Sequence, residues 1–103
     1  MAALHHWADV PEGRAAPAVV KRKIEGLCVD LVRIEIKAGE KADRHAHPHE
    51  QFVQVIAGRG TLETAEGRQA FAAGSVFHFP AATWHSAEFD EDTILVETNL
   101  KTL

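Results

Sequence analysis

Residues Arg44 to Gln51 read RHAHPHEQ, and the interpretation of this chain turns on them. His45, His47 and His49 stand at alternate positions, followed by Glu50 and Gln51, so eight residues offer five candidate metal ligands. Side chains two apart in a β-strand share a face, so an unbroken strand would aim His45, His47, His49 and Gln51 the same way. Two imidazoles side by side in a His-x-His pair can share one ion. Pro48 lacks a backbone N–H and bends the chain, so alternation past His47 is not secured. The other reading of the stretch is a polar strand face with solvated histidines.

The flanking sequence is written in strand-length pieces. Gly26, Gly39, Gly58, Gly60, Gly67 and Gly74, with Pro48 and Pro80, divide it. Runs are expected at 18–25, 27–37, 52–57, 60–64, 68–71, 75–79, 83–89 and 92–99. In the second, Val32, Ile34 and Ile36 alternate with Arg33, Glu35 and Lys37, giving one apolar and one polar face. Ala65-Glu66-Gly67 reads as a hairpin turn. No segment carries a long helical stripe, and the alanine-rich start supports a short helix at most. The pattern predicts an all-β fold, a sandwich or small barrel, in one domain over residues 1–103.

Composition narrows the partners. The chain has 103 residues, 46% of them hydrophobic, and a formal charge of −4. That balance argues against nucleic-acid or anionic-membrane surfaces, which need a basic patch. The short basic run Lys21-Arg22-Lys23 reads as the solvated side of a strand. Cys28 is the only cysteine, which excludes an intrachain disulfide, and its apolar surroundings predict a buried small side chain. No window approaches a membrane span. The expectation is a soluble, cytoplasmic protein with no nucleic-acid or membrane partner.

Two motifs then fall into register. Gly39, His45, His47, Gln51 and Gly58 stand at the spacings of the first conserved motif of the cupins, and Gly74, Pro80, Ala82 and His85 resemble the second. Ala82 stands where glycine is usual, and Phe89 where asparagine is usual. Residues 39–58 and 74–89 carry the resemblance, which is to small single-domain cupins of the conserved-barrel type. It implies a double-stranded β-helix, a jelly-roll barrel of two antiparallel sheets. The implied metal ligands are His45, His47, Gln51 and His85. The six-residue spacing to Gly58 and strand parity favour Gln51 over Glu50 as the oxygen ligand. Three imidazoles and an amide suit a divalent transition metal such as Ni, Zn, Fe or Mn, and leave its charge undiminished. His49, His78 and Phe52 are expected around the ligands or in the pocket wall, and Trp84 on the outside or in an interface.

The HPHEQ stretch also resembles cupins that linearise unsaturated uronates in pectin degradation. The chain departs from them on its last strand, where Glu97 stands at an aspartate position, Asn99 at an aromatic one, and no arginine follows. Val53 replaces a second glutamine. Glu97 is read either as a general base or as an exposed polar residue of an alternating strand. Three functions are therefore expected. The first is a Lewis-acid enzyme acting on a small sugar acid or carbonyl compound by isomerase- or lyase-type proton transfer. The second is a metal-dependent dioxygenase. The third is a non-catalytic small-ligand sensing module. A homodimer is expected, through sheet edges or outer faces, with Trp7 to Glu25 contributing.

Overall fold

The structure, a computed structural model, describes residues 2–101. Positions 1, 102 and 103 of the expected 1–103 domain lie outside the described residues. A single 3-10 turn, Trp7–Asp9, precedes ten strands. They are β1 (Glu12–Ala16), β2 (Val19–Glu25), β3 (Val29–Ile36), β4 (Lys41–Ala46), β5 (Gln51–Ala57), β6 (Arg59–Thr64), β7 (Gly67–Ala72), β8 (Val76–Phe79), β9 (Trp84–Phe89) and β10 (Thr93–Leu100). Two of these, β1 and β4, fall outside the runs expected from the sequence. The start of the chain forms only the short 3-10 turn and then an edge strand, and Arg22 gathers both in. The Arg22 guanidinium donates to the carbonyls of Trp7 and Val10 and pairs with Glu12 on β1.

The strands form two antiparallel sheets that face each other, the jelly-roll arrangement that the cupin resemblance implies. One has the order β1-β2-β3-β10-β5-β8 and the other β4-β9-β6-β7. Alternation explains which residues make the core. On β3, Val32, Ile34 and Ile36 are buried; on β5, Val53 and Val55; on β10, Leu95. They meet Leu62, Phe71 and Phe89 of the four-stranded sheet, with Phe77 and Phe79 from β8. Phe71 contacts Phe77 and Phe89 edge-on, at 5.2 and 5.8 Å between ring centroids. This apolar packing fills one end of the barrel and leaves the inward polar residues Gln51, His85 and Glu97 toward the other.

Two turns need unusual backbone. Gly58, between β5 and β6, has φ +96°, and a Cβ there would lie 2.7 Å from both the Asp92 carbonyl oxygen and Thr93 Cα. Ala82 has φ +65°, the only non-glycine residue with positive φ among the described residues, and its N–H donates to the His47 carbonyl at 2.7 Å. That bond ties the second histidine of the His-x-His pair to the turn carrying His85. Cys28 is exposed, not buried as its apolar neighbours suggested. It sits with Leu27, also exposed, on the turn between β2 and β3, where no second sheet covers them. Among the described residues no helix is long and apolar enough to cross a membrane.

Candidate metal centre

The first histidine is aimed by a bulge. On β4 the register runs Ala42 opposite Ala87, then His45 opposite His85, so three residues on β4 match two on β9. The extra residue reverses the parity, and both Ala42 and His45 point into the barrel. The same bulge brings the Asp43 carbonyl within 2.6 Å of His45 Nδ1. An Nδ1–H donated to that carbonyl leaves Nε2 unprotonated and aimed as a ligand.

β4 ends at Ala46, and His47 to Glu50 form the loop to β5. His47 nevertheless reaches the same place. The rings of His45 and His47 lie 4.8 Å apart, those of His45 and His85 4.3 Å, and those of His47 and His85 5.5 Å. One ligand atom from each of His45, His47 and His85 lies within 4.8 Å of the others, so these three histidines could hold a metal ion. His85 lies flat on Phe79 at 3.8 Å, and its Nδ1 is buried with no hydrogen-bond partner among the described residues. Orphaned buried nitrogens are rare in folded proteins, and a bound ion is one way to satisfy this one. Burial, then the neighbouring His45 and His47, hold the His85 imidazole down to about 4, and burial likewise lowers His47. Both are therefore neutral near pH 7, the form that ligates. This donor set fits a divalent transition metal.

Gln51 is almost wholly buried, at 2% exposure, at the start of β5. Its amide nitrogen donates to Asn99 Oδ1 at 2.7 Å, which turns the amide oxygen away as the free end. Glu50 faces elsewhere. Its carboxylate meets His78 Nε2 at 2.6 Å on the outer face of the six-stranded sheet, and His78 stacks on Phe52 at 4.4 Å. His78 and Phe52 therefore do not reach the pocket, contrary to the expectation from sequence. The reason is parity: on β5 and β8 the odd-numbered residues face inward, and both of these are even. Trp84 is also on the outside, with the Arg44 guanidinium 3.7 Å over its ring.

His49 stays near the site. It packs beside His47 at 5.0 Å, and its Nε2 is buried with no hydrogen-bond partner among the described residues. Glu97 is not an exposed strand residue. It shares the inward face of β10 with buried Leu95 and lines a chamber of about 300 Å³ together with His45, Gln51 and His85. Burial raises its pKa, against a lowering by the Asn99 side chain. Asn99 Nδ2 lies 3.4 Å from Glu97 Oε1, so Asn99 bridges Gln51 and Glu97. Sequence reasoning noted Asn99 only as a departure at an aromatic position and missed its bridging role, although its shared parity with Leu95 and Glu97 was the available signal. It also missed the split of the basic run. Lys21 and Lys23 lie on the inward face of β2, and both line the open basin of about 1090 Å³ outside the chamber, whereas Arg22 faces the other way.

Comparisons with known proteins agree with this architecture. The solved structure of an RmlC-like cupin from Shewanella frigidimarina NCIMB 400 superimposes with TM-score 0.89 at 18% identity, over 99% of this chain and 93% of that one. KdgF from Halomonas sp. gives 0.82 at 17%, over 92% of each chain. Ectoine synthase from P. lautus gives 0.85 at 17%, over 99% of this chain and 80% of that one. At these identities the likeness shows the fold alone. No curated protein sequence matches. The family model described as "Cupin domain" matches residues 32–98, which span both motifs and every histidine of the metal centre. The chain belongs to the cupin domain family.

Proposed function

We propose that this cupin is a metal-dependent enzyme that moves a proton on a small sugar acid or other carbonyl compound, in an isomerase- or lyase-type reaction. The observation that carries the reading is that Glu97 lines both the chamber of His45 and His85 and the adjoining basin of His47, beside the three-histidine cluster. His45, His47, His85 and the Gln51 oxygen would hold a divalent ion, with Ni, Zn, Fe and Mn all suited to imidazole-rich ligation. Such an ion supplies Lewis-acid polarisation of a substrate oxygen.

The chain's own residues do the rest. Glu97 lines the same chamber, held by Asn99 beside the Gln51 amide, and is the carboxylate that would take a proton from a substrate there. The other lining carboxylate, Glu40, lies in the turn before β4. Burial raises the pKa of Glu97, which strengthens it as a base once ionised. Asn99 holds Glu97 and Gln51 in fixed relation. Val53, Phe77 and Phe79 wall the chamber with apolar surface, which keeps water from competing for the proton.

The test is metal analysis followed by turnover assays on unsaturated uronates and 2-oxo acids, with oxygen uptake recorded in parallel. The expected result is turnover without oxygen consumption, lost in His85→Ala and in Glu97→Gln, with the ion retained in the second variant. Oxygen uptake coupled to substrate loss would instead establish a dioxygenase. Saturable binding with no turnover would establish a sensing module.

A further inference from the structure

Lys21 is singled out by two independent observations. The chain has eleven lysines and arginines. All but Lys21 pair with a carboxylate, and Lys21 makes no ion pair or side-chain hydrogen bond among the described residues. It is also one of the few cations directed at the site. β2 pairs with β3 so that Lys21 lies opposite Ile34 and Lys23 opposite Val32, and β3 pairs with β10 so that Ile34 lies opposite Leu95 and Val32 opposite Glu97. Lys21 therefore stands on the inward face, one row from Glu97. Its side chain lines both the chamber that holds His45 and His85 and the outer basin that holds His47 and His49.

The other cations of the basin already have partners. Lys101 lies 2.8 Å from Asp30 and Lys23 lies 3.5 Å from it, while Arg14 pairs with Glu12 at 3.8 Å. The basin thus presents one positive charge without an ion pair among the described residues, within electrostatic range of Glu97. An ammonium on a flexible stem, solvated until a ligand arrives, is a point-charge anchor for an anion. One such charge matches a monoanion. A phosphate monoester, nearly dianionic at neutral pH, exceeds the single charge of Lys21 itself.

We infer that Lys21 binds the carboxylate of the ligand, and that the ligand is a small monocarboxylate with a second oxygen close by. That description covers 2-oxo and 2-hydroxy acids, sugar acids included. The second oxygen lies toward the three histidines while the carboxylate pairs with Lys21 at the chamber rim. The assignment of that second oxygen rests on the metal reading above; the role of Lys21 rests on its own placement and charge.

The experiment uses the full chain, metal-loaded and chelator-treated, titrated calorimetrically with pyruvate, methyl pyruvate and inorganic phosphate. Lys21→Gln, Lys21→Arg and Lys23→Gln are titrated alongside, with metal content and thermal unfolding recorded for each sample. Wild type is expected to prefer pyruvate to its methyl ester. Lys21→Gln should weaken pyruvate binding about tenfold and leave the ester unchanged, as loss of one charge-assisted contact predicts. Lys21→Arg should retain most of the preference, and Lys23→Gln should barely alter it. Equal losses in Lys21→Gln and Lys23→Gln would overturn the inference. So would equal affinity for acid and ester, tighter binding of phosphate, or no binding of pyruvate. A protein that takes no ion yet shows the Lys21-dependent preference would overturn the metal reading alone. One that takes the ion without that preference would overturn the Lys21 assignment alone.

Discussion

Gln51 shows how much a single amide decides. It is one of the most buried side chains of the molecule, yet polar, and Asn99 holds its nitrogen end. The neighbouring Glu50, equally plausible by chemistry, is on the outer face with His78. Gln51→Ala is therefore expected to weaken metal binding and Glu50→Ala to leave it unchanged, measured by metal content after dialysis. Asn99→Ala should reduce metal affinity by about 10- to 100-fold through loss of the orienting contact. Glu97 carries a stability cost. Its pKa is raised in the folded state by burial, so folding penalises its charged form. The stability contributed by its neutral form is fully present below the unfolded-state pKa near 4.5 and is lost as pH rises through the raised folded value. Metal-free Glu97→Gln should accordingly unfold at a higher temperature than wild type at pH 7, with the difference vanishing near pH 4. A variant less stable than wild type at pH 7 would contradict this.

At the level of elements, the site depends on two departures from regular strand geometry. The bulge in β4 reverses parity between Ala42 and His45. The left-handed Ala82 turn locks the His47 carbonyl beneath β9. An L-residue in that conformation costs about 1–2 kcal/mol, part of which glycine loses again through unfolded-state entropy. Ala82→Gly should therefore stabilise the protein by about 0.5–1 kcal/mol in urea unfolding, with metal binding intact. Gly58 shows the opposite case. Any Cβ there meets the backbone of Asp92 and Thr93, so Gly58→Ala should destabilise by about 3 kcal/mol, combining overpacking with strain at positive φ. Both values are read from the same denaturation curves.

Across the whole molecule, the two sheets differ on their outer faces. The four-stranded sheet carries charged ladders such as Arg68 with Glu63 and Glu88, and Lys41 with Glu88. The six-stranded sheet instead exposes Leu31 (37%), Phe52 (38%), Ile56 (51%) and Val76 (62%). Apolar patches of that kind mark association surfaces. A homodimer through this face is the expected state in solution. Light scattering should report twice the 11.3 kDa chain mass, and Ile56→Lys combined with Val76→Lys should yield a folded monomer. A monomeric wild type would remove this expectation.

Much of this was legible in the sequence because it is written in local periodicity. Alternation on β3, the glycine-marked turns and the spacing of His45, His47, Gln51 and His85 depend only on a strand's two-residue repeat and on backbone freedom. Periodicity and turns were sufficient for an all-β sandwich or barrel, while the ligand set, His85 included, came from the resemblance of the two motifs to the cupins. What local pattern did not specify was which way a residue faces once a strand bulges, breaks or starts anew. That is set by pairing with partners far along the chain. The inward turn of His45 depends on β9, the bridging place of Asn99 on β5, and the outward place of His78 on the register of β8. The solvated run Lys21-Arg22-Lys23 was divided only when β2 paired with β3, sending Arg22 to the N-terminal segment and Lys21 to the mouth of the site.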